Sequence, residues 1–224
     1  MNPAARRLPI VVLLSGTGSN LRALAAQATA GTVPVEIRAV VSDRPDAPGL
    51  AWAAAQGIST VALPPRDYPD RAAFDRALAD AVASFEPGLV VLAGFMRILG
   101  DEFVDRFAGR LVNIHPSLLP KYRGLHTHRR ALEAGDRSHG ASVHFVTREL
   151  DGGPVVIQAR VPVRDDDDEA SLAARVLAEE HRIYPECIGW FATGRLQWHD
   201  GVVQLDGRPL TEPVQRDDAS SDRA

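Results

Sequence analysis

Three polar side chains, Asn113, His115 and Asp151, are of the types that perform chemistry at a carbonyl. An amide N–H can hold a developing oxyanion, an imidazole transfers protons near neutral pH, and a neighbouring carboxylate favours the imidazolium. Asn113 and His115 stand two apart in the strand-like run Leu111-Val-Asn-Ile-His115, so they project from one face. Pro116 and Pro120 stiffen the exit from that run. Asp151 opens the turn Asp151-Gly-Gly-Pro154, where an aspartate also serves as an ordinary turn residue. A histidine alone at a strand end is more often a hydrogen-bonded structural imidazole; the paired Asn113 and the adjoining prolines bring the two readings level, and spacing alone does not bring Asp151 to His115.

A second group lies in Ser15-Gly-Thr-Gly-Ser-Asn20, between an apolar run and a helical pattern. Glycines there admit a ligand close to the backbone, and free N–H groups at a helix start favour an anion. Ser19 and Asn20 add side-chain donors and can also cap the helix. The Gly-Lys-Ser/Thr triplet of nucleotide P-loops is absent. The dinucleotide fingerprint fits Gly16 and Gly18 but meets Leu21 where its third glycine belongs. Asp43 after the next strand could imitate that fingerprint's acidic ribose binder, which keeps a nicotinamide-dependent oxidoreductase open on these residues.

The elements that must position these groups alternate through the first half of the chain. Leu8–Leu14, 35–41, 58–63, Leu89–Ala93 and 111–114 read as strands. Between them, 20–30, 47–56 and 71–85 carry helical spacing. This alternation predicts an α/β fold, a doubly wound and mostly parallel sheet with helices on both faces. Ligands of such sheets gather beyond the carboxyl ends of the strands, where the glycine loop and His115 both fall. After residue 140 the pattern changes. Residues 141–146 and 155–163, separated by the Asp151 turn, predict an antiparallel pair. A long helix from near Asp168 towards Trp190 follows, kinked at Pro185, then a hairpin of 196–199 and 202–205. The acidic run Asp165–Asp168 suits the start of that helix. Residues 1–212 are expected to form one domain, and 213–224 a frayed tail.

The motifs Ser15–Asn20, Val90–Leu99, Asn113–Tyr122, Gly140–Thr147, Leu150–Pro154 and Glu180–Pro185 occur here in a fixed order. In that order the chain resembles the phosphoribosylglycinamide formyltransferases over roughly residues 8 to 210. The resemblance implies transfer of a formyl group from 10-formyltetrahydrofolate, as co-substrate, to the glycinamide ribonucleotide in purine synthesis, with no metal. It implies Asn113, His115 and Asp151 as the catalytic trio. Asn113 would hold the formyl oxygen and His115 would donate the proton. Asp151 would support the imidazolium and position a water. Gly18, Ser19 and Asn20 would take the ribonucleotide phosphate, and Glu180 the sugar hydroxyls. Arg71, Met96, Arg97, Ile98 and Leu99 would line the folate pocket, together with His144, Thr147, Arg148, Glu149, Leu150 and Asp151.

Glu180 has some independent support, because Val176, Glu180, Ile183 and Cys187 share one helical stripe and an inward carboxylate requires a partner. The sequence departs from the family at Arg123, where a proline is expected, which leaves that loop's rigidity open. His126 and His128 lack a third metal ligand at recognisable spacing.

The bulk composition narrows the alternatives. A net charge of −4 over 224 residues offers no basic field for nucleic acid or an anionic membrane. One cysteine, Cys187, excludes an intrachain disulfide and fits a reducing compartment. Leu8–Leu14 is far shorter than the ~20 residues of a spanning helix, so a soluble cytoplasmic protein is expected, monomer or homodimer, acting on small molecules. Methionyl-tRNA formyltransferase and formyltetrahydrofolate deformylase share the Asn-Ile-His-Pro core but carry an added domain, and the length of 224 residues leads us to expect the ribonucleotide enzyme over both. The deformylase, the oxidoreductase and a silent folate or nucleotide binder remain the alternatives.

Overall fold

The computed structural model describes residues 7–199 and 201–217. Leu8–Leu14 forms β1, and its last five residues are buried, as expected for a strand covered on both faces. There follow α1 (Ser19–Thr29), β2 (Val35–Ser42), α2 (Pro48–Ala55), β3 (Ser59–Ala62), α3 (Arg71–Ala83) and β4 (Leu89–Leu92). Then come α4 (Asp101–Arg106), β5 (Leu111–His115), α5 (Thr127–Glu133), β6 (Ser138–Phe145) and β7 (Val155–Pro162). The remaining elements are α6 (Glu169–Ala192), β8 (Leu196–His199), β9 (Val202–Leu205), β10 (Arg208–Pro209) and β11 (Val214–Asp217).

Eight strands make the main sheet in the order β11-β7-β6-β5-β4-β1-β2-β3, and β10-β9-β8 form a small second sheet. Strands β3, β2, β1, β4 and β5 are mutually parallel, whereas β6 is antiparallel to both neighbours. The expected doubly wound sheet with an antiparallel portion is therefore present. Its connections run one way from β1 to β2 and β3, and the other way to β4 and β5. The crevice of such a sheet opens where this direction reverses, between the carboxyl ends of β1 and β4.

Each face buries its own core. Leu21, Leu24 and Leu50 of α1 and α2 pack with Leu172, Val176, Ile183 and Ile188 of α6 on one side. Phe74, Leu78 and Val82 of α3 pack with Phe103 and Phe107 on the other. The acidic run does start α6: Asp168 and Ser171 form a reciprocal capping box, and Asp167 pairs with Arg175. That guanidinium holds the Asp167 carboxyl far below the usual range. Pro185 lies inside α6, and the helix continues through it. Cys187 is buried, which pushes its thiol up. The Tyr184 hydroxyl reaches the Leu92 carbonyl at 2.8 Å and the Val112 carbonyl at 3.1 Å, tying α6 to the neighbouring strands β4 and β5.

Two features differ from the sequence reading. The short helices α4 and α5 were not anticipated, because six and seven residues carry too little periodicity. Part of the segment expected to fray instead forms β11, which adds a parallel edge to β7 from Val214↔Ile157 to Asp217↔Arg160. Val214 packs against the core, and the Gln215 amide donates to the Gln158 side chain at 3.1 Å. The rest of that segment, residues 218–224, lies outside the described residues.

Close backbone approach fixes the β6–β7 register. A Cβ on Gly140 would lie 1.9 Å from the Ala159 carbonyl oxygen. Gly140→Ala is expected to destabilise the protein by about 1–3 kcal/mol. An unchanged urea midpoint would show that the two strands have room for a methyl group.

Candidate active site

The glycine loop leaves β1 at Ser15 and enters α1 through Gly18, whose φ of 75° is a left-handed conformation. A Cβ there would press on the Gly49 Cα at 3.0 Å, so loop and α2 meet backbone to backbone. The Gly49 N–H donates to the Gly16 carbonyl at 3.0 Å. Ser15 joins three elements. Its N–H donates to the Gly94 carbonyl at 3.0 Å, and its hydroxyl donates to Asp43 at 2.6 Å while accepting the Met96 N–H at 2.9 Å. Asp43, a possible ribose binder on sequence grounds, is thereby engaged in holding β1, β2 and the segment after β4 together.

Beyond these strand ends lie two adjoining clefts of about 380 and 470 Å³. They share Gly94, Met96, Ile114 and Pro116 as a common wall. The smaller is lined by the glycine loop, Asn20, Arg44 and Glu180. The larger holds Asn113, His115 and Asp151, with Phe95, Met96, Arg97, Ile98, Leu125 and Leu150 as apolar or amphipathic walls. Met96, Ile98, Leu125 and Leu150 are all exposed, an unusual concentration of apolar surface at one opening.

In the larger cleft, Asn113 and His144 are cross-strand partners of β5 and β6. His144 is buried, and desolvation lowers its pKa to about 4. The neutral ring donates from Nδ1 to the Phe145 carbonyl at 2.9 Å. Its Nε2 lone pair is left to accept an Asn113 amide N–H at 3.1 Å. One N–H of Asn113 is thus fixed inward, and the geometry leaves the other for a ligand. His115 is also buried. Its Nε2 donates to the Tyr122 carbonyl at 2.9 Å and its Nδ1 faces Asp151 at 3.5 Å. Both ring nitrogens face oxygen acceptors, so a doubly protonated ring has a partner for each N–H.

Asp151 reaches the site from a turn in which it has a φ of 48°. A Cβ on Gly153 would lie 1.9 Å from the Phe145 carbonyl oxygen, so only glycine permits the approach. One Asp151 oxygen accepts the Gly124 N–H at 2.9 Å and faces His115. The other lies 3.6 Å from His144 Nε2, beyond hydrogen-bonding distance. Arg123, the departure from the family pattern, pairs with Glu149, and its carbonyl accepts from Arg130 at 2.7 Å. An ion pair between loops stands where a proline was expected. The 116–122 loop, with a cis Leu119–Pro120 bond, is held from below. Ser142 accepts the Leu119 N–H at 3.0 Å, and Gln158 donates to the Leu119 carbonyl at 2.8 Å.

The structure gathers most sequence candidates, but not all. Met96, Arg97, Ile98, Asn113, Leu150 and Asp151 line the larger cleft, and Gly18, Ser19, Asn20 and Glu180 the smaller. His144 lies beneath Asn113. Leu99 packs into the core beside α3. Arg71 sits close by, donating to the Ile98 carbonyl at 2.9 Å. Thr147, Arg148 and Glu149 belong to the loop but not to the cleft lining; Arg148 pairs with Asp105. Glu180 is 8% exposed and accepts from the Asn20 amide at 2.7 Å, and its burial raises its pKa. Sequence reading missed Leu125, Glu169 and Arg44, which lie outside the recognised motifs, and Phe95, which lies within Val90–Leu99 but carries no polar group to single it out. His128 lines the larger cleft and contacts the buried His139 at 3.2 Å.

Comparison with known proteins places the chain in a family. Residues 8–188 match the family model described as formyl transferase. A phosphoribosylglycinamide formyltransferase of Escherichia coli K12 is 54% identical over 201 residues, covering 90% of this chain and 95% of that protein. The human trifunctional purine biosynthetic protein adenosine-3 is 39% identical over 192 residues, covering 86% of this chain and 19% of its own length. A solved structure of a phosphoribosylglycinamide formyltransferase from Coxiella burnetii superposes with a TM-score of 0.89 at 49% identity, covering 94% of this chain and 99% of that one.

The buried histidines give the site a pH dependence with a definite sign. His139 and His144 are each lowered by desolvation from 6.5 to about 4. Between those values the unfolded chain binds more protons than the native one, so the contribution falls as pH drops from about 6.5 towards 4. His139→Asn should flatten the wild-type dependence by roughly 1 kcal/mol per pH unit in that window. Parallel urea midpoints for the two proteins from pH 7 to 4.5 would contradict this.

Proposed function

The chain belongs to the formyl transferase family, and from that premise we infer that it moves a formyl group onto the amine of phosphoribosylglycinamide in purine biosynthesis. The observation that carries the reading is a pair of clefts sharing one wall, with Asn113, His115 and Asp151 on one side and a glycine loop at a helix start on the other. A two-substrate transfer needs such an arrangement, because holding both reactants in contact removes much of the entropic barrier.

The donor in this reading is 10-formyltetrahydrofolate. Its flat ring system suits the walls formed by Met96, Arg97, Ile98 and Leu150, and Arg71 offers a cation beside that segment. Gly18, Ser19 and Asn20 take the acceptor's phosphate at the start of α1, and Glu180 takes its sugar hydroxyls. The amine nitrogen then attacks the formyl carbon. A C–N bond forms, and the carbonyl oxygen becomes an oxyanion held by the outward N–H of Asn113. His115, in its protonated form, stabilises that charge and supplies the proton received by the folate nitrogen as its bond to carbon breaks. The amine's own proton passes through a water beside Asp151 back to His115, so that overall one proton moves from the amine to the folate nitrogen. No metal is needed, since the formyl group arrives already activated. The reaction fits the cytoplasm, where folates and nucleotides meet.

The oxidoreductase reading loses its main support, because the Asp43 oxygen meant for a ribose is hydrogen-bonded to Ser15. A deformylase would use the larger cleft alone and leave the smaller one without a role.

A spectrophotometric assay with 10-formyltetrahydrofolate separates these cases. Turnover is expected only when the glycinamide ribonucleotide is present; turnover with folate alone would mean a deformylase. Asn113→Ala should lower kcat by about 10²–10³. Near-normal turnover in that variant would remove Asn113 from the oxyanion site.

A further inference from the structure

Among the described residues lining the smaller cleft, Arg44 is the only cation, and Glu180 is the only other charged side chain. Arg44 follows β2 and owes its place to the packing of two loops. Its neighbour Asp43 is held by the Ser15 hydroxyl at 2.6 Å, its own N–H donates to Ser42 Oγ at 3.0 Å, and its carbonyl accepts the Ala47 N–H at 3.1 Å. The Gly49–Gly16 hydrogen bond then docks the turn onto the glycine loop. The backbone of Arg44 is therefore rigid relative to the start of α1, while its guanidinium is not committed. Among the described residues its one ion pair is with Asp46, at 3.9 Å, and both side chains are well exposed. That distance is beyond a hydrogen bond.

The cleft also shows a second sign of a missing ligand. Asn20 is 8% exposed, yet its Oδ1 is buried without a hydrogen-bond partner, while its Nδ2 is engaged by Glu180. An unsatisfied buried acceptor beside a carboxylate suits a ligand bearing hydroxyl donors, with an anionic group at the helix start.

We propose that Arg44 closes on the phosphate of the ribonucleotide held at Gly18–Asn20, and so selects the phosphorylated acceptor over the free riboside. This rests on the formyl-transfer reading given above. The α1 N-terminus supplies N–H donors and a partial charge, and a guanidinium adds a full charge with paired donors that match two phosphate oxygens. It also offsets the Glu180 carboxylate, which lines the same cleft. Contact with the phosphate lies away from the reacting carbon, so the effect belongs mainly to ground-state binding.

Steady-state kinetics of the full chain test this with Arg44→Gln, Arg44→Lys and, as a charge control on the second sheet, Arg208→Gln. Arg44→Gln is expected to raise KM for the ribonucleotide at least about 10-fold, with a much smaller change in kcat. Its kcat/KM for the dephosphorylated riboside should match wild type, and ribose 5-phosphate should lose potency as a competitor. Arg44→Lys should recover part of the affinity, restoring charge without the planar fork. The control should behave as wild type. An unchanged KM in Arg44→Gln would overturn the proposal, as would an equal loss with ribonucleotide and riboside, which marks a structural role. In both cases the wild type would still require the ribonucleotide, and the formyl-transfer reading would stand. A wild type that ignores the ribonucleotide would overturn both.

Discussion

The charge state of one buried side chain sets the chemistry of the larger cleft. His144 is enclosed by β5, β6 and the Asp151 turn, and desolvation keeps it neutral. A neutral imidazole has one donor and one acceptor, and the Phe145 carbonyl takes the donor. The remaining lone pair dictates that Asn113 presents its nitrogen rather than its oxygen to the ring. From that follows an amide whose free N–H is available to an oxyanion. A protonated His144 would demand an acceptor from Asn113, turn the amide round and aim its carbonyl oxygen at the substrate. The site's polarity therefore depends on keeping water from one ring, which explains why the cross-strand neighbour of the oxyanion donor is itself buried.

The parts of the fold readable from sequence are those governed by local periodicity. Apolar β-branched runs bounded by glycines gave the parallel strands, and the two-residue spacing of Asn113 and His115 put both at one strand's carboxyl end. The inward position of Glu180 followed from the stripe it shares with Val176 and Ile183. Its partner did not, because Asn20 lies 160 residues away and only the α1–α6 contact brings them together. Asp151 reached His115 through a turn whose shape depends on the close approach of Gly153 to β6, information that resides in three dimensions. Asp43 illustrates the opposite case. Its type and place suggested a ligand contact, yet the nearby Ser15 hydroxyl made it a structural strut. The helices α4 and α5 escaped notice for want of length.

The Arg123 loop shows how the same geometry is reached by different physics. A proline restricts a loop by removing backbone freedom in the unfolded chain. Here the restriction comes from native contacts: Arg123 with Glu149, Arg130 with the Arg123 carbonyl, and Gly124 with Asp151. Exposed ion pairs contribute little to global stability, so this clasp acts on the relative position of two loops rather than on the fold. Its strength should also respond to dissolved salt, which a proline's would not.

The edge of the main sheet carries a consequence for how the chain is made. Strand β7 has only β6 on its inner side until β11 pairs with its outer side, and β11 comes from well downstream, after α6 and the small sheet. During synthesis, β7 therefore exposes a row of unpaired N–H and C=O groups while most of the protein has already emerged. Such an edge is a template for another chain. A short polar segment with little share in the core or the catalytic clefts thus covers, late in synthesis, an edge that otherwise invites another chain.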